Sequence, residues 1–236
     1  MNQQRVVAII QARMGSTRLP GKSMIRLRDK PIIELVLCRV RCAKTLTKVV
    51  LGTTNQPRDD VLCDIANSLH VQVFRGSEDD VLKRYILAAQ TFGADVVVRV
   101  CADNPVIAPE EIDRIVMHHV RTGADYSFNH IPAMDNHYPD GLGAEVVNFG
   151  VLEAIDRQAT DPYHREHVTA YIWDHLQDFH VETVVAPPDI AGPEIKLDVD
   201  TEADLVRLKM LFSEAPYDIS TWGAVDIIRT YRRTFG

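Results

Sequence analysis

Apolar strand-like runs alternate along this chain with segments of helical periodicity, and that alternation limits the possible folds more than any other feature. Arg5 to Gln11 is the first apolar run, and a helix is expected to begin at Pro31, where apolar residues recur at helical spacing. Strands that are apolar along their whole length are typical of a parallel sheet covered by helices on both faces. We therefore expect an α/β protein with three layers, α/β/α, around a mostly parallel sheet.

The same periodicities predict the remaining elements. We expect strands at 5–11, 48–53, 71–74, 94–100, 125–129, 144–149, 181–186 and 195–198. We expect helices from residue 31 and at 59–69, 78–92, 109–121, 150–159, 165–176, 201–213 and 219–232. A long loop between residues 130 and 143 is of the kind that usually serves a function. The interpretation that needs fewest assumptions is one domain, residues 1–236, with an inserted segment around 125–150.

Charge and hydropathy exclude several classes of partner. The chain has 26 Lys and Arg against 33 Asp and Glu, a net charge of −7, so bulk charge does not attract nucleic acid or an anionic membrane. The apolar runs are far shorter than the roughly 18 residues needed to span a bilayer, and no apolar signal core follows Met1. We expect a cytoplasmic protein without membrane or nucleic-acid partners.

The loop after the first strand, "QARMGSTRLPGK", concentrates positive charge. Arg13, Arg18 and Lys22 share it with Gly15 and Gly21. Ligands of open α/β sheets bind at the carboxyl ends of the strands, where glycines allow backbone N–H groups to approach phosphate and cations neutralise its charge. The loop therefore predicts a polyphosphate site. It is not a P-loop, because five residues separate the glycines where that motif has four.

Acidic residues follow two further apolar runs. Asp103 comes after "VVVRVCA", and Asp198 and Asp200 lie in "IKLDVDT". Carboxylates together with substrate phosphates are the ligands that Mg²⁺ prefers. These three residues are therefore candidate ligands of Mg²⁺, although Asp200 followed by Thr201 is also typical of a helix N-terminus.

Six ordered motifs carry a resemblance to a known family. They are "QARMGSTRLPGK", "FRGSEDDVLKRY", "CADNPVIAPEEID", "YPDGLGAEV", "REHVTAYI" and "LDVDTEADL". In this order they resemble the cytidylyltransferases of the CMP-sugar synthetase superfamily, which includes the CMP-N-acylneuraminate and CMP-Kdo synthetases. Within it the chain is most similar to the spore coat polysaccharide biosynthesis protein F group. The resemblance implies a fold of the nucleotide-diphospho-sugar transferase type.

The resemblance also implies roles for particular residues. Catalytic roles fall to Arg13, Lys22, Asp103 and Asp200, with Asp198 as a third metal residue beside Asp103 and Asp200. Nucleotide contacts fall to Gln11, Ala12, Arg13, Gly15, Ser16, Thr17, Lys22, Arg75, Ser77, Asp80 and Arg84. Acceptor contacts fall to Tyr138, Asp140, Glu145, Arg165, Glu166 and His167.

Two features on the acceptor side bear on its chemistry. Arg165 would suit a carboxylated sugar acid, since arginine binds carboxylates with a two-pronged geometry; the alternative is a surface pair between Arg165 and Glu166. Gly143 replaces an acidic residue that is common in this group, which puts the usual acceptor contacts in doubt.

The resulting hypothesis is a Mg²⁺-dependent transfer of CMP from CTP to a hydroxyl of a sugar or sugar acid, with release of pyrophosphate. Surface-polysaccharide or glycoconjugate biosynthesis would use such a product. A homodimer through the segment around 125–150 is expected by analogy. The alternatives are a nucleotidyltransferase that uses another nucleoside triphosphate, and a nucleotide-binding scaffold without activity.

Overall fold

The computed structural model describes residues 4–15 and 19–236, and in them the alternation of strands and helices is confirmed. The strands are β1 Val6–Gln11, β2 Arg26–Leu27, β3 Lys30–Pro31, β4 Lys48–Thr54, β5 Gln72–Gly76, β6 Val96–Cys101, β7 Tyr126–Phe128, β8 Glu145–Asn148 and β9 Val181–Thr183. The helices are α1 Ile32–Val40, α2 Asp60–Ser68, α3 Val81–Phe92, α4 Pro109–Thr122, α5 Phe149–Gln158, α6 Pro162–Glu166, α7 Ala170–Asp174, α8 Glu202–Ser213 and α9 Ala224–Phe235. Short 3₁₀ turns lie at Lys22–Met24, Pro57–Asp59, Leu176–Asp178 and Ile219–Thr221.

Seven strands form the main sheet in the order β5-β4-β1-β6-β8-β7-β9. The first four strands in this order are parallel, whereas β8 is antiparallel to both β6 and β7, and β9 is parallel to β7. Gln11 at the end of β1 lies opposite Cys101 at the end of β6. We call this border of the sheet the carboxyl edge. Because β8 runs the other way, its first residue, Glu145, also lies near this edge, opposite Arg99.

Apolar side chains cover both faces of the sheet. Successive side chains of a strand point to opposite faces, so Ala8 and Ile10 of β1 pack in one core cluster with α1, α4, α8 and α9. Val7 and Ile9 pack in a second cluster with α3 and α5. The expected three-layer arrangement follows from this division of one strand between two cores.

Four expected elements differ from those in the structure. The expected helix at 219–232 is a 3₁₀ turn at Ile219–Thr221 followed by α9, and the expected strand at 181–186 ends at Thr183. The expected strand at 195–198 is a single bridge between Asp140 and Lys196, because its neighbour is an irregular loop that offers only one residue for pairing. The expected helix at 165–176 is broken into α6 and α7. The break lets the hydroxyl of Thr169 donate a hydrogen bond to Oε1 of Glu145 at 2.6 Å.

The segment 125–150 contributes two strands, β7 and β8, to the main sheet. The loop between them is anchored by Asn129, which is fully buried. Its Nδ2 donates to the backbone oxygen of Glu111, and its Oδ1 accepts from the backbone N–H of Ala144, both at 2.9 Å. A Cβ at Gly143 would overlap Oδ1 and the backbone oxygen of Asn129. Close packing against Asn129 therefore accounts for glycine at position 143.

Within the described residues, no helix combines the length and apolar character needed to cross a lipid bilayer.

Substitution of Gly143 tests this packing. We expect Gly143→Ala to lower the free energy of unfolding by about 2–3 kcal/mol, since overfilling a close-packed site forces the neighbours to shift. Urea denaturation followed by circular dichroism measures the change. Gly150→Ala is the matched control, because a Cβ at Gly150 in α5 meets nothing within 4 Å. Equal effects of the two substitutions would contradict the packing argument.

Candidate active site

Lys22 brings together the charges at the carboxyl edge. It follows Gly21, whose φ of 69° lies in the left-handed region that favours glycine. Its Nζ lies 2.7 Å from Oδ2 of Asp103 and 3.4 Å from Oδ1 of Asp200. Burial lowers the pKa of Lys22, but the two carboxylates outweigh burial and raise it, so the amine is a cation. Three of the predicted catalytic residues thus meet at one point.

Two further carboxylates crowd this point. Burial raises the pKa of Asp198 to about 7, and the negative charges of Asp140, Asp103 and Asp200 add to the effect. Burial raises the pKa of Asp140 as well. Oδ1 of Asp198 is buried and has no hydrogen-bond partner among the described residues. A concentration of carboxylates with one oxygen unsatisfied is an environment that attracts a cation.

The residues present fit a magnesium ion. Across 4–15 and 19–236, no three His, Cys, Asp or Glu side chains are already arranged to hold a metal. Mg²⁺ does not require such a cage, because it usually binds one or two carboxylates together with waters and substrate phosphates. Asp103 and Asp200 already converge on one cation, the Lys22 amine, and the unsatisfied oxygen of Asp198 belongs to the same cluster.

Arg13 links the first loop to α6. Its Nη1 donates to the backbone oxygen of Glu78 at 3.2 Å, and its Nη2 pairs with Oε1 of Glu166 at 3.1 Å. The predicted nucleotide residue Arg13 and the predicted acceptor residue Glu166 are therefore in contact. Ser16 and Thr17, with the neighbouring cation Arg18, lie outside the described residues.

Arg84 carries an unsatisfied buried charge. It is 0% exposed, its Nη1 donates to the backbone oxygen of Ser77, and its Nε and Nη2 have no partner among the described residues. Burial lowers its pKa, and the positive charge of Arg13 lowers it further. Oε1 of Gln11 is also buried without a described partner. Unsatisfied buried groups each cost about 1–3 kcal/mol, so their presence favours a ligand that completes them.

Three other predicted nucleotide residues are engaged with protein groups. Arg75 donates to the backbone oxygen of Thr54 at 2.8 Å and pairs with Asp60 at 2.6 Å, at the outer border of the sheet. The hydroxyl of Ser77 accepts from the backbone N–H of Asp80 at 3.1 Å. Asp80 caps α3 by accepting from the backbone N–H of Lys83. In this structure these side chains stabilise the start of α3 and the border strand.

Arg165 is paired with two carboxylates of the protein. Its Nε and Nη2 bind the two oxygens of Asp80 at 3.0 and 2.6 Å, and its Nη1 binds Asp156 at 2.8 Å. The two-pronged geometry expected for a sugar acid is thus used within the protein. The alternative, a surface pair between Arg165 and Glu166, is wrong in its partner, since Glu166 pairs with Arg13.

Tyr138 also lies away from any surface that an acceptor could contact. Its side chain is 0% exposed within the core cluster of α4, and its hydroxyl donates to Oε2 of Glu111 at 2.5 Å. The expected acceptor contact is replaced by a structural one. The hydrophobic ring fits the core because Glu111 satisfies its only polar atom.

Glu145 lies at the centre of a buried polar network. It is 2% exposed, pairs with Arg99, and accepts from the hydroxyls of Tyr126 at 2.7 Å and Thr169 at 2.6 Å. Burial favours a raised pKa for Glu145, but Arg99, His130 and the two hydroxyls outweigh burial and lower it to about 2. The carboxylate is therefore ionised at neutral pH.

A pocket of about 210 Å³ opens over this network. We call it the Glu145 pocket. Its lining includes Arg99, His130, Glu145, Tyr163, His167 and Trp173. Sequence reasoning missed Arg99 and His130. The arginine within the apolar run "VVVRVC" could have indicated the first, because a charge in a covered strand requires a buried partner.

Comparison with known proteins identifies the family. The sequence model of the family described as "Cytidylyltransferase" matches residues 7–213. This chain belongs to the cytidylyltransferase family. The resemblance to the CMP-sugar synthetase superfamily is thereby confirmed, and the protein is a nucleotidyltransferase.

Relatives and solved structures agree with this assignment. The cytidylyltransferase is 34% identical to spore coat polysaccharide biosynthesis protein SpsF of Bacillus subtilis (strain 168), over 89% of this chain and 87% of that protein. It is 31% identical to a solved cytidylyltransferase from Leptospira borgpetersenii serovar Hardjo-bovis (strain JB197), with a TM-score of 0.89 over 98% of this chain and 94% of the other. CMP:2-keto-3-deoxy-manno-octonic acid synthetase, solved in complex with CTP, shares the fold, with a TM-score of 0.67, 17% identity, and 89% and 99% of the two chains covered.

The Arg99–Glu145 pair of the cytidylyltransferase is testable through its pH dependence. We expect Arg99→Met to lower the free energy of unfolding by about 3–5 kcal/mol at pH 7, because Glu145 is left as an uncompensated buried charge. Without Arg99, burial raises the pKa of Glu145 above its ordinary value. Protonation of Glu145 on acidification therefore removes part of the loss in unfolding free energy. In the unaltered protein, whose Glu145 pKa is lowered, this group's contribution is instead lost as the pH falls from about 4.5 towards 2.

The difference in unfolding free energy between the two proteins should therefore shrink between pH 7 and pH 4.5, as measured by urea denaturation. Arg229→Met is the control, since its pair with Asp226 is exposed, and it should change stability little at either pH. A difference for Arg99→Met that is independent of pH would contradict the assignment of charge to Glu145.

Proposed function

We propose that this cytidylyltransferase transfers CMP from CTP to a hydroxyl of a sugar or sugar acid, with Mg²⁺ and with release of pyrophosphate. The observation that carries the proposal is the convergence of Lys22, Asp103 and Asp200 at the carboxyl edge. A cation for the phosphates and two carboxylates for a metal meet where α/β sheets bind their ligands. The names of the relatives support a cytidine nucleotide and a polysaccharide precursor.

The reaction balances without any further reactant. The acceptor hydroxyl oxygen forms a bond to the α-phosphorus of CTP, the bond from that phosphorus to the bridging oxygen of the β-phosphate breaks, and pyrophosphate leaves. The hydroxyl proton passes to solvent. Phosphoryl chemistry of this kind depends mainly on positioning and on stabilising the charge of the leaving group.

The chain's own residues supply these two contributions. Lys22 exchanges its contacts with Asp103 and Asp200 for contacts with the triphosphate, which frees both carboxylates. Arg13 adds a second cation from the same loop. A magnesium ion held by Asp103 and Asp200, with Asp198 beside them, would supply further neutralisation of phosphate charge.

Recognition of the nucleoside falls to the end of β1 and the start of α3. The unsatisfied Oε1 of Gln11 and the unsatisfied nitrogens of Arg84 offer an acceptor and donors that a bound nucleotide completes. Ala12, which is 3% exposed, limits the space beside them. A Cβ at Gly15 would lie 2.9 Å from the side-chain ends of Arg58 and Glu78, so a larger residue there would displace both.

A homodimer through the segment around 125–150 and a cytoplasmic location form part of the proposal. The location follows from the use of CTP, and the dimer from the family resemblance.

Removal of one carboxylate tests the catalytic assignment. We expect a folded Asp103→Asn protein to lose about 100-fold or more in kcat, the scale of losing one electrostatic stabiliser. Release of pyrophosphate with CTP and a panel of sugars and sugar acids is the measurement. Asp64→Asn, on the exposed side of α2, serves as the control and should retain full activity. Near-normal turnover by Asp103→Asn would contradict the assignment of Asp103 as a metal ligand.

Nucleotide preference separates the proposal from its rivals. With Mg²⁺ present, we expect CTP at about 100 times its dissociation constant to stabilise the folded protein by about 2.7 kcal/mol. The melting temperature should then rise by about 5 °C or more, and UTP, GTP and ATP should raise it less. A larger shift with another triphosphate would favour the rival enzyme, and binding of CTP without pyrophosphate release would favour the inactive scaffold.

A further inference from the structure

A buried carboxylate that none of the sequence motifs contains holds the start of the first loop. Asp59 is fully buried; it ends the 3₁₀ turn Pro57–Asp59 and directly precedes α2. Its Oδ1 accepts from the backbone N–H of Met14 at 2.8 Å, and its Oδ2 accepts from the hydroxyl of Thr54. One carboxylate thus ties the end of β4 to the loop that carries Arg13 and Lys22.

Asp59 does not make the contact that is usual for an aspartate in its position. An aspartate at a helix N-cap normally accepts from the second or third backbone N–H of its own helix, as Asp80 at the start of α3 accepts from Lys83. Asp59 is the N-cap of α2, yet its side chain bonds to none of the described N–H groups of that helix. The carboxylate binds Met14 instead, so α2 lacks a side-chain cap and the loop gains a fixed point.

Other contacts hold the same part of the loop from its opposite side. Arg13 donates to the backbone oxygen of Glu78 at 3.2 Å, and the carboxylate of Glu78 pairs with Arg58. Gly15 lies against the side-chain ends of Glu78 and Arg58. Because Met14 lies between Arg13 and Gly15 in the chain, any shift of Met14 moves both of them.

The charge of Asp59 does not itself favour a triphosphate. Asp59 lies within electrostatic reach of Arg84, one of the residues proposed for the nucleotide, and a negative charge beside a polyphosphate site repels the ligand. Its contribution is therefore geometric. A loop that is held in place before binding loses less conformational freedom when the ligand arrives, and its affinity is higher for that reason.

We infer that Asp59 is a positioning residue of the triphosphate site, which fixes Met14, and with it Arg13 and Gly15, before CTP binds. Asp59 acts through the backbone of the loop and does not touch the nucleotide. The inference rests on the proposed function, to which it adds a residue that acts on the affinity for CTP.

Two substitutions at residue 59 separate geometry from charge. Asp59→Ala removes both acceptors, and the dissociation constant of CTP in the presence of Mg²⁺ should rise about tenfold or more, because the loop must then be ordered at the moment of binding. Asp59→Asn keeps an oxygen for Met14 and offers Nδ2 to the Thr54 hydroxyl, so its dissociation constant should stay within about threefold of the unaltered value. Isothermal titration calorimetry measures both without an acceptor.

Asp113→Ala is the matched control. Asp113 accepts from the backbone N–H of Thr45 at 2.8 Å and from its hydroxyl at 2.7 Å, the same kinds of contact that Asp59 makes. Thr45 precedes the start of β4, whereas Thr54 lies at its end, so this second anchor is at the opposite border of the sheet. Asp113→Ala should lower the melting temperature and leave the dissociation constant of CTP unchanged.

Amide hydrogen exchange tests the anchor in the unaltered protein. The Met14 N–H should exchange slowly there and in Asp59→Asn, and fast in Asp59→Ala. Fast exchange of Met14 in the unaltered protein overturns the inference, whether or not Asp59→Ala folds. An unchanged dissociation constant in folded Asp59→Ala, or an equal rise in Asp59→Asn or Asp113→Ala, also overturns it. Failure of the unaltered protein to bind CTP overturns the proposed function instead.

Discussion

The buried pair between Arg99 and Glu145 connects the parallel and antiparallel parts of the sheet, and much of the site depends on it. Glu145 can be buried only because Arg99, Tyr126 and Thr169 satisfy its oxygens. The bond from Thr169 coincides with the break between α6 and α7. That break sets the position of α6, from which Glu166 reaches Arg13 in the first loop. A charge inside an apolar strand is thus linked, through Glu145 and Thr169, to the segment that contacts the first loop.

Partly buried carboxylates crowd the other half of the site. Asp103, Asp140, Asp198 and Asp200 lie close enough to raise the pKa of Asp198 and Asp140 beyond the effect of burial. Lys22 and Lys196 offset part of this charge. Such an arrangement favours either protonation of a carboxyl group or a bound cation, which is consistent with a site that binds a metal together with a polyphosphate. The net charge of −7 therefore excludes bulk attraction to polyanions but not a focused site for one.

Hydrophobic periodicity predicted most of the fold, because it reports directly which faces of each element are buried. It located β1, β4, β6 and the helices around them within a few residues. It failed at 165–176 and 195–198, where one hydrogen bond from Thr169 and the irregular partner of Lys196 decide the structure. Among site residues, motif spacing brought Lys22, Asp103 and Asp200 together correctly. Motif spacing could not show that Arg165 pairs with Asp80 and Asp156, or that Tyr138 binds Glu111 in the core. Both sets of contacts join segments that are distant in sequence.

The change of strand direction between β6 and β8 divides the sheet into a parallel part and a part that contains the antiparallel strand β8. Strands β1 and β5 carry residues proposed for the nucleotide and β6 leads into Asp103, whereas β8 contributes Glu145 to the pocket above it. Substitutions in the second part can alter the cavity without moving the first, provided that Arg99 keeps a carboxylate opposite it. The border between β6 and β8 therefore gives this fold a route to new acceptors by exchange of one portion of the chain. It is also a position at which a protein engineer could join segments from two related chains.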